Sequence, residues 1–265
     1  MQLNGTRALI TGASRGLGKS LAEVLAARGA TVALVARNRD DLEILAKELD
    51  GRAYPTDLAD PDAVEALIER VEADGPVDVL INNAGIDRVG RFADTSAAQV
   101  RDLLQVNLAA PMELCRQVMP RMLRRGRGHI VNVSSFGAIS TGPGVTLYGA
   151  SKAGLSHFTA GIRSELRGTP VGTTLAQLGE VKTDMIDHIR EFGPARRTIE
   201  RSLRWRMLPA EALDPGAVAA AIADAVERNR RHVILPRRIT PMAKFTEFPR
   251  RVSEIMLTGI DQDGD

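Results

Sequence analysis

Short β-branched, apolar runs alternate with longer amphipathic stretches along most of the chain, and this alternation limits the fold more than any single residue. Strands are predicted at Arg7–Ile10, Thr31–Val35, Arg52–Tyr54, Val77–Ile81, His129–Val133, Gly172–Gln177 and His232–Leu235, most of them rich in Val, Ile, Leu and Thr. Strands separated by helices pair in parallel through right-handed crossovers. Strands this apolar are expected to be buried on both faces.

The helices between them carry their own punctuation. Leu17–Ala27 stops before Gly29, and Asp40–Leu49 is closed by Gly51. Asp60-Pro61 reads as an N-cap followed by proline at the first helical position, with Gly75-Pro76 ending that helix. A longer helix is expected from Ala97 to Arg124 with a kink at Pro111. Tyr148–Arg167 ends at Gly168, and Pro215–Arg228 is the last clear helix. The fold class is therefore α/β: a single Rossmann-type, doubly wound parallel sheet in a three-layer α/β/α sandwich across residues 1–265.

The 265 residues suffice for one large core, and 44% hydrophobic with 26% charged residues is ordinary for a soluble globular chain. A net charge of +2 gives no ground for nucleic-acid binding. Cys115 has no second cysteine to pair with, so a reducing compartment is expected. No basic-then-apolar leader precedes Ala8-Leu9-Ile10. His129, His157, His188 and His232 lack metal-ligand spacing, so no metal is expected and each reads as a surface or satisfied residue.

Two motifs carry the chemistry. The first strand runs into Thr11-Gly-Ala-Ser-Arg-Gly-Leu-Gly18 and then a helix. Glycines there permit close approach of backbone to ligand, and the helix start offers amides and a positive dipole end to a pyrophosphate. Downstream, Tyr148 and Lys152 stand four residues apart and so share a helix face. A neighbouring ammonium favours the phenolate, making such a tyrosine a plausible proton donor and acceptor.

These motifs, with Asn82-Asn83-Ala84-Gly85 after the fourth strand and Ser135 after the fifth, resemble the short-chain dehydrogenase/reductase (SDR) family from Thr6 to Asp184. The resemblance implies that Tyr148 exchanges a proton with the substrate oxygen and that Ser135 hydrogen-bonds the substrate carbonyl. It implies that Lys152 lowers the Tyr148 pKa and holds the nicotinamide ribose. Asn107 matches the asparagine of a water-mediated proton relay; its plainer reading is a polar residue satisfying backbone near Pro111. Ser134, the other serine of the pair, would make a turn hydrogen bond. Cofactor contacts are implied for Gly12, Ser14, Arg15, Gly16, Leu17, Gly18, Arg37, Asp57, Leu58, Asn83, Ala84, Gly85, Tyr148, Lys152, Val181 and Thr183. Asp57 would touch the adenine ring, or else make a helix-entry hydrogen bond. Gly179, Val181 and Thr183 fit the family's Pro-Gly-x-Val-x-Thr, although Leu178 replaces its proline.

The second strand ends Val35-Ala36-Arg37-Asn38, without the acid that would hold the ribose of NAD. Arg37 and Arg15 offer cations to a 2′-phosphate, so NADP(H) is favoured over NAD(H). Asp40 and Asp41 are expected to begin the next helix, where acids suit the dipole.

Met185–Leu208 is markedly apolar, with Ile186, Ile189, Phe192, Ile199, Leu203, Trp205, Met207 and Leu208. A segment over about residues 185–210 is expected to form a lid over an apolar substrate, or a helix pair packed on the core or a dimer surface. The apolar loop Phe136–Leu147 points the same way, while Asp87 and Arg88 could touch a polar substrate end. The stretch Arg228–Arg251 is strongly basic with apolar residues interleaved, and a basic amphipathic extension is expected over about residues 236–265. It resembles the longer tails of family relatives acting on retinoids, steroids and other lipids. A solvated helix packed on the body, a weak membrane-surface contact and anion binding are its readings.

The expectation is an NADP(H)-dependent oxidoreductase that interconverts a secondary alcohol and a ketone, working in the reducing direction. It is expected to be cytoplasmic or membrane-peripheral, and a homodimer or homotetramer joined through the long helices. The alternatives are an NAD-dependent dehydrogenase of the same family and a non-catalytic nucleotide-sensing protein.

Overall fold

The computed structural model describes residues 1–182, 191–204, 212–246 and 248. Seven strands, β1 (Arg7–Thr11), β2 (Thr31–Ala36), β3 (Arg52–Pro55), β4 (Val79–Asn82), β5 (Gly128–Ser135), β6 (Val171–Leu178) and β7 (His232–Leu235), form one sheet in the order β3-β2-β1-β4-β5-β6-β7. Every pairing is parallel. Strand order reverses between β1 and β4, and at such a switch point the crevice beyond the strand ends receives ligands.

Alternate residues of the central strands feed two cores. Ala8, Ile10, Val32, Leu34, Val79 and Ile81 pack under α1 (Gly16–Ala27), α2 (Arg39–Glu48) and α9 (Pro215–Glu227). Leu9, Ala33, Val35 and Leu80 face the other way. There they meet α3 (Pro61–Glu65), α4 (Leu67–Glu72) and α6 (Ala110–Arg125), beside which lies α7 (Thr146–Glu165). This is the three-layer sandwich expected of strands apolar on both sides. Between α7 and α9, α8 spans Gly193–Arg204.

Helix starts follow the sequence signals. Asn38, Asp60, Ser96 and Asp214 each accept a backbone amide at a helix N-terminus, and Pro61 and Pro215 occupy the first turn. Asp40 and Asp41 lie in the first turn of α2, as their charge favours.

One expected helix differs. Between Ala97 and Arg125 the chain forms α5 (Ala97–Leu104), a π turn (Gln105–Ala109) and then α6, in place of a kinked continuous helix. In an α-helix the residue at 111 would donate to the Asn107 carbonyl, but Pro111 has no N–H and its ring crowds that carbonyl. The wider turn absorbs the conflict, and it holds Asn107 fully buried. The helix predicted from Asp60 is also divided, into α3 and α4 at Ala66.

Candidate active site

The glycine turn is set by packing at the β1–β4 switch. A Cβ on Gly18 would fall 1.9 Å from the Gly12 carbonyl oxygen, and one on Gly12 would fall 2.9 Å from Ala84 Cα. Gly12 also has φ of +68°, which disfavours a side chain. Thr11 ties this turn to the next strand end. Its Oγ1 accepts from the amides of Asn83 and Ala84, both at 3.0 Å, while Asn83 Nδ2 donates to the Thr11 carbonyl at 2.9 Å. Asn83 thus acts as a clamp on the turn, and its side chain is spent on backbone.

Helix α1 begins differently from α2, α3, α5 and α9. Its N-cap is Arg15, which makes no capping bond through its side chain, and its first turn holds no acid. Uncapped amides with a positive dipole end suit an anion. Arg15 and Arg37 are both exposed at this edge. The nearby acid Asp41 is engaged by Asn38, whose Nδ2 donates to it at 2.5 Å. Asp57 uses Oδ1 to accept from the Ala59 amide at 3.0 Å, so the helix-entry bond considered for it is present. Leu58 is buried beside it.

At the end of β5, Ser135 Oγ accepts from the Gly137 amide at 3.1 Å. Glycines again allow the approach: a Cβ on Gly137 would meet both that oxygen, at 3.5 Å, and the Tyr148 ring, at 3.6 Å, and one on Gly149 would sit 2.9 Å from the Gly137 carbonyl oxygen. Lys152, one turn along α7, is 4% exposed. Its Nζ donates to the Val133 carbonyl at 3.0 Å and lies 5.9 Å from the Tyr148 ring centre. A Cβ on Gly85 would approach that Nζ to 3.3 Å and Asn107 Oδ1 to 3.4 Å, so Gly85 keeps a narrow space open between them.

Three influences act on the Tyr148 phenol in this structure. Burial raises the phenol above its ordinary value; the Ser135 hydroxyl pulls it back, and the Asp87 carboxylate pushes it further up. Lys152 spends a hydrogen bond on Val133, and burial lowers the pKa of its own ammonium to about 8. Asp87 was legible only as a loop residue near the substrate; its influence on the phenol depends on the path of the loop after β4.

Asn107 makes the backbone contacts of its plainer reading. Its Oδ1 accepts from the Ile86 amide at 2.8 Å, and its Nδ2 donates to the Ile86 carbonyl at 2.9 Å and to Ser151 Oγ at 3.1 Å. Ser151 in turn donates to the Tyr148 carbonyl at 2.7 Å. A polar chain therefore joins the π turn, the loop after β4 and the tyrosine's own turn of helix. Ser151 lies inside the Tyr-x-x-x-Lys interval, where sequence reading gave it no role.

Ser134 does not make the turn bond expected of it. Its hydroxyl donates to the Lys152 carbonyl at 3.1 Å and meets Ser156 Oγ at 2.7 Å, anchoring the Lys152 turn of α7 to β5. Beyond β6, Val181 bridges to Leu213, and the Leu213 amide donates to the Glu180 carbonyl at 2.7 Å. Thr183 and most of the expected lid lie outside the described residues. Within the described part, Phe192 packs against Gly144, so close that a Cβ there would lie 2.6 Å from its ring, and the Gly90 amide donates to the Gly144 carbonyl at 3.1 Å. Segments following β4, β5 and β6 thus meet on the sheet edge that carries Ser135.

Comparisons agree with this arrangement. The family model described as short chain dehydrogenase matches residues 6–193. The ketoacyl reductase HetN of Nostoc sp. is 35% identical over 268 residues, covering 98% of this chain and 88% of its own. A short-chain dehydrogenase from Sphingobium yanoikuyae, solved with NADPH, superposes with a TM-score of 0.81 at 26% identity over 98% of both chains. A short-chain dehydrogenase/reductase from Burkholderia phymatum, solved with NAD, gives 0.80 at 26% identity over 100% of this chain and 99% of its own. With its parallel sheet, glycine turn and Ser-Tyr-Lys constellation, this chain belongs to the short-chain dehydrogenase/reductase family of oxidoreductases.

Proposed function

We propose that this chain is an NADP(H)-dependent oxidoreductase that interconverts a secondary alcohol and a ketone, with Tyr148 as general acid and base. The observation that carries the reading is the placement of Ser135 Oγ and the half-buried Tyr148 on either side of Gly137, at the sheet edge that also bears the uncapped start of α1.

The residues fit a nicotinamide dinucleotide. The α1 amides and the turn Gly12, Ser14, Arg15, Gly16, Leu17 and Gly18 would receive the pyrophosphate. Arg37, with Arg15, would take a 2′-phosphate, while Asp41 is already bonded to Asn38. Leu58, Asn83, Ala84 and Gly85 would line the nucleotide, and Asp57 would reach the adenine. Lys152 and Tyr148 would hold the nicotinamide ribose beside the gap that Gly85 keeps open. Val181, through its backbone, and Thr183 would meet the carboxamide. When bound, the nicotinamide supplies or accepts the hydride.

The protein's own part is position and proton. Ser135 and Tyr148 would offer two hydroxyls to the carbonyl oxygen, which gains negative charge during reduction. Donors aimed there stabilise the transition state more than the ground state. A phenol whose pKa is raised keeps its proton at neutral pH, which suits an acid in the reducing direction. Asn107, through Ser151, fixes the tyrosine's turn and would serve the proton relay.

Phe192 against Gly144 supports an apolar, lipid-like substrate under a lid. Met112 and Leu123, exposed on α6, support a homodimer or homotetramer built on the long helices. The lone Cys115 supports a cytoplasmic setting.

The test is a ketone screen read by loss of NADPH absorbance, repeated with Tyr148→Phe. Turnover should fall more than ~1,000-fold while NADPH binding stays within a few-fold. Activity of the variant within a few-fold of the parent defeats the assignment.

A further inference from the structure

We infer that the helix following β7 docks on an anionic lipid surface through an exposed apolar face rimmed by cations. Residues 240–246 and 248 are helical, and the inward side of this segment is set by Ile239 at 4% and Ala243 at 0% exposure. A helix advances about 100° per residue, so the side facing away from those two carries Pro241, Phe245 and Phe248. Solvent should find polar groups there. Instead Phe245 is 81% exposed, Phe248 66% and Met242 41%.

Charge decides what covers this face. Arg237 and Arg238 are exposed in the 3-10 turn that leads into the helix, and Lys244 is exposed within it, four residues before Phe248 and on the same side. From Arg228 to Arg251 the sequence holds eight Arg and Lys against one acid, Glu247. A second copy packed symmetrically on this face would bring two patches of the same positive charge together. An anionic bilayer instead accepts phenyl rings at the headgroup boundary and cations among the phosphates, as interfacial amphipathic helices do.

Position adds a consequence. The helix leaves the carboxyl end of β7, the sheet edge that bears Ser135, and Pro236 packs on Gly179 so closely that a Cβ there would lie 2.8 Å away. A membrane on this face lies on the active-site side of the molecule.

The experiment is co-sedimentation of the full chain with vesicles of phosphatidylcholine alone and with about one-third phosphatidylglycerol. Binding is expected to the anionic vesicles and to weaken at least ~10-fold in 1 M salt. Phe245→Ser with Phe248→Ser, and separately Arg237→Glu with Lys244→Glu, should each weaken it at least ~10-fold at unchanged melting temperature. No binding to anionic vesicles, or equal binding by these variants, overturns the inference. So does a fall in solution mass of the phenylalanine variant, which would mean that a second copy covers the face.

Discussion

The Ser135 hydroxyl, at the end of β5, lowers the pKa of the Tyr148 phenol on α7, which burial has raised. Asp87 acts on the same phenol with the opposite sign. The two residues therefore make opposed predictions. Alcohol oxidation needs the phenolate, so its rate should climb with pH toward the raised phenol pKa. Asp87→Asn removes a charge that disfavours the phenolate and should move that limb to lower pH. Ser135→Ala removes a hydroxyl that favours it and should move the limb to higher pH, with a large loss of rate at every pH. Rate profiles of kcat for oxidation check both, and limbs that shift in the same direction would refute the geometry.

Cofactor choice rests on the end of β2. Ala36 stands where an acid would be expected and Arg37 follows it, while the first-turn acid Asp41 is bonded to Asn38. Arg37→Ala should weaken NADPH about 10- to 100-fold while leaving NADH within about 3-fold, since one charge-assisted contact is worth about 1.5–3 kcal/mol. Fluorescence titration with both nucleotides measures it. Equal weakening of the two would show that Arg37 does not read the phosphate.

Much of this was legible in the sequence, for reasons that differ by residue. Strand runs such as Ala8-Leu9-Ile10 announce themselves because both faces are apolar, and caps such as Asp60-Pro61 are local chemistry. Ser135, Tyr148 and Lys152 carry a family spacing. The π turn at Gln105–Ala109 was hidden because Pro111 fixes only that something must yield, not how. Ser134, Ser151 and Asp87 gain their roles from contacts between segments far apart in sequence, such as Ser134 with Lys152 and Asn107 with Ser151. Periodicity carries no trace of these.

Gln177 offers a test of stability. It lies on β6, in register with Ser134 and wholly buried, and neither its Nε2 nor its Oε1 has a hydrogen-bond partner. A buried amide without partners costs about 1–3 kcal/mol, and Met has nearly the same shape without that cost. Gln177→Met should therefore stabilise the fold by about that amount in urea titrations at unchanged m. Destabilisation would mean that the amide is paired in solution.

Lys152 predicts a conflict between stability and activity. Its pKa is lowered by burial to about 8 from an ordinary 10.5. Below pH 8 both folded and unfolded chains hold the proton, and the folded chain bears the cost of a buried charge. Between pH 8 and 10.5 the unfolded chain keeps a proton that the folded one has lost, so stability rises with pH across that window. The full difference is on the order of 3 kcal/mol. Lys152→Met removes the charge, so at pH 7 it should raise the melting temperature by roughly 5 °C. The gain should shrink as pH climbs from 8 and vanish near 10.5, where the parent no longer bears the cost. Turnover should collapse at every pH, because the variant has no ammonium beside the gap at Gly85 to hold the ribose. Calorimetry of both proteins across pH 7–10.5 measures the effect, and a melting difference that does not change with pH would show that the ammonium keeps its ordinary affinity for the proton in the folded chain.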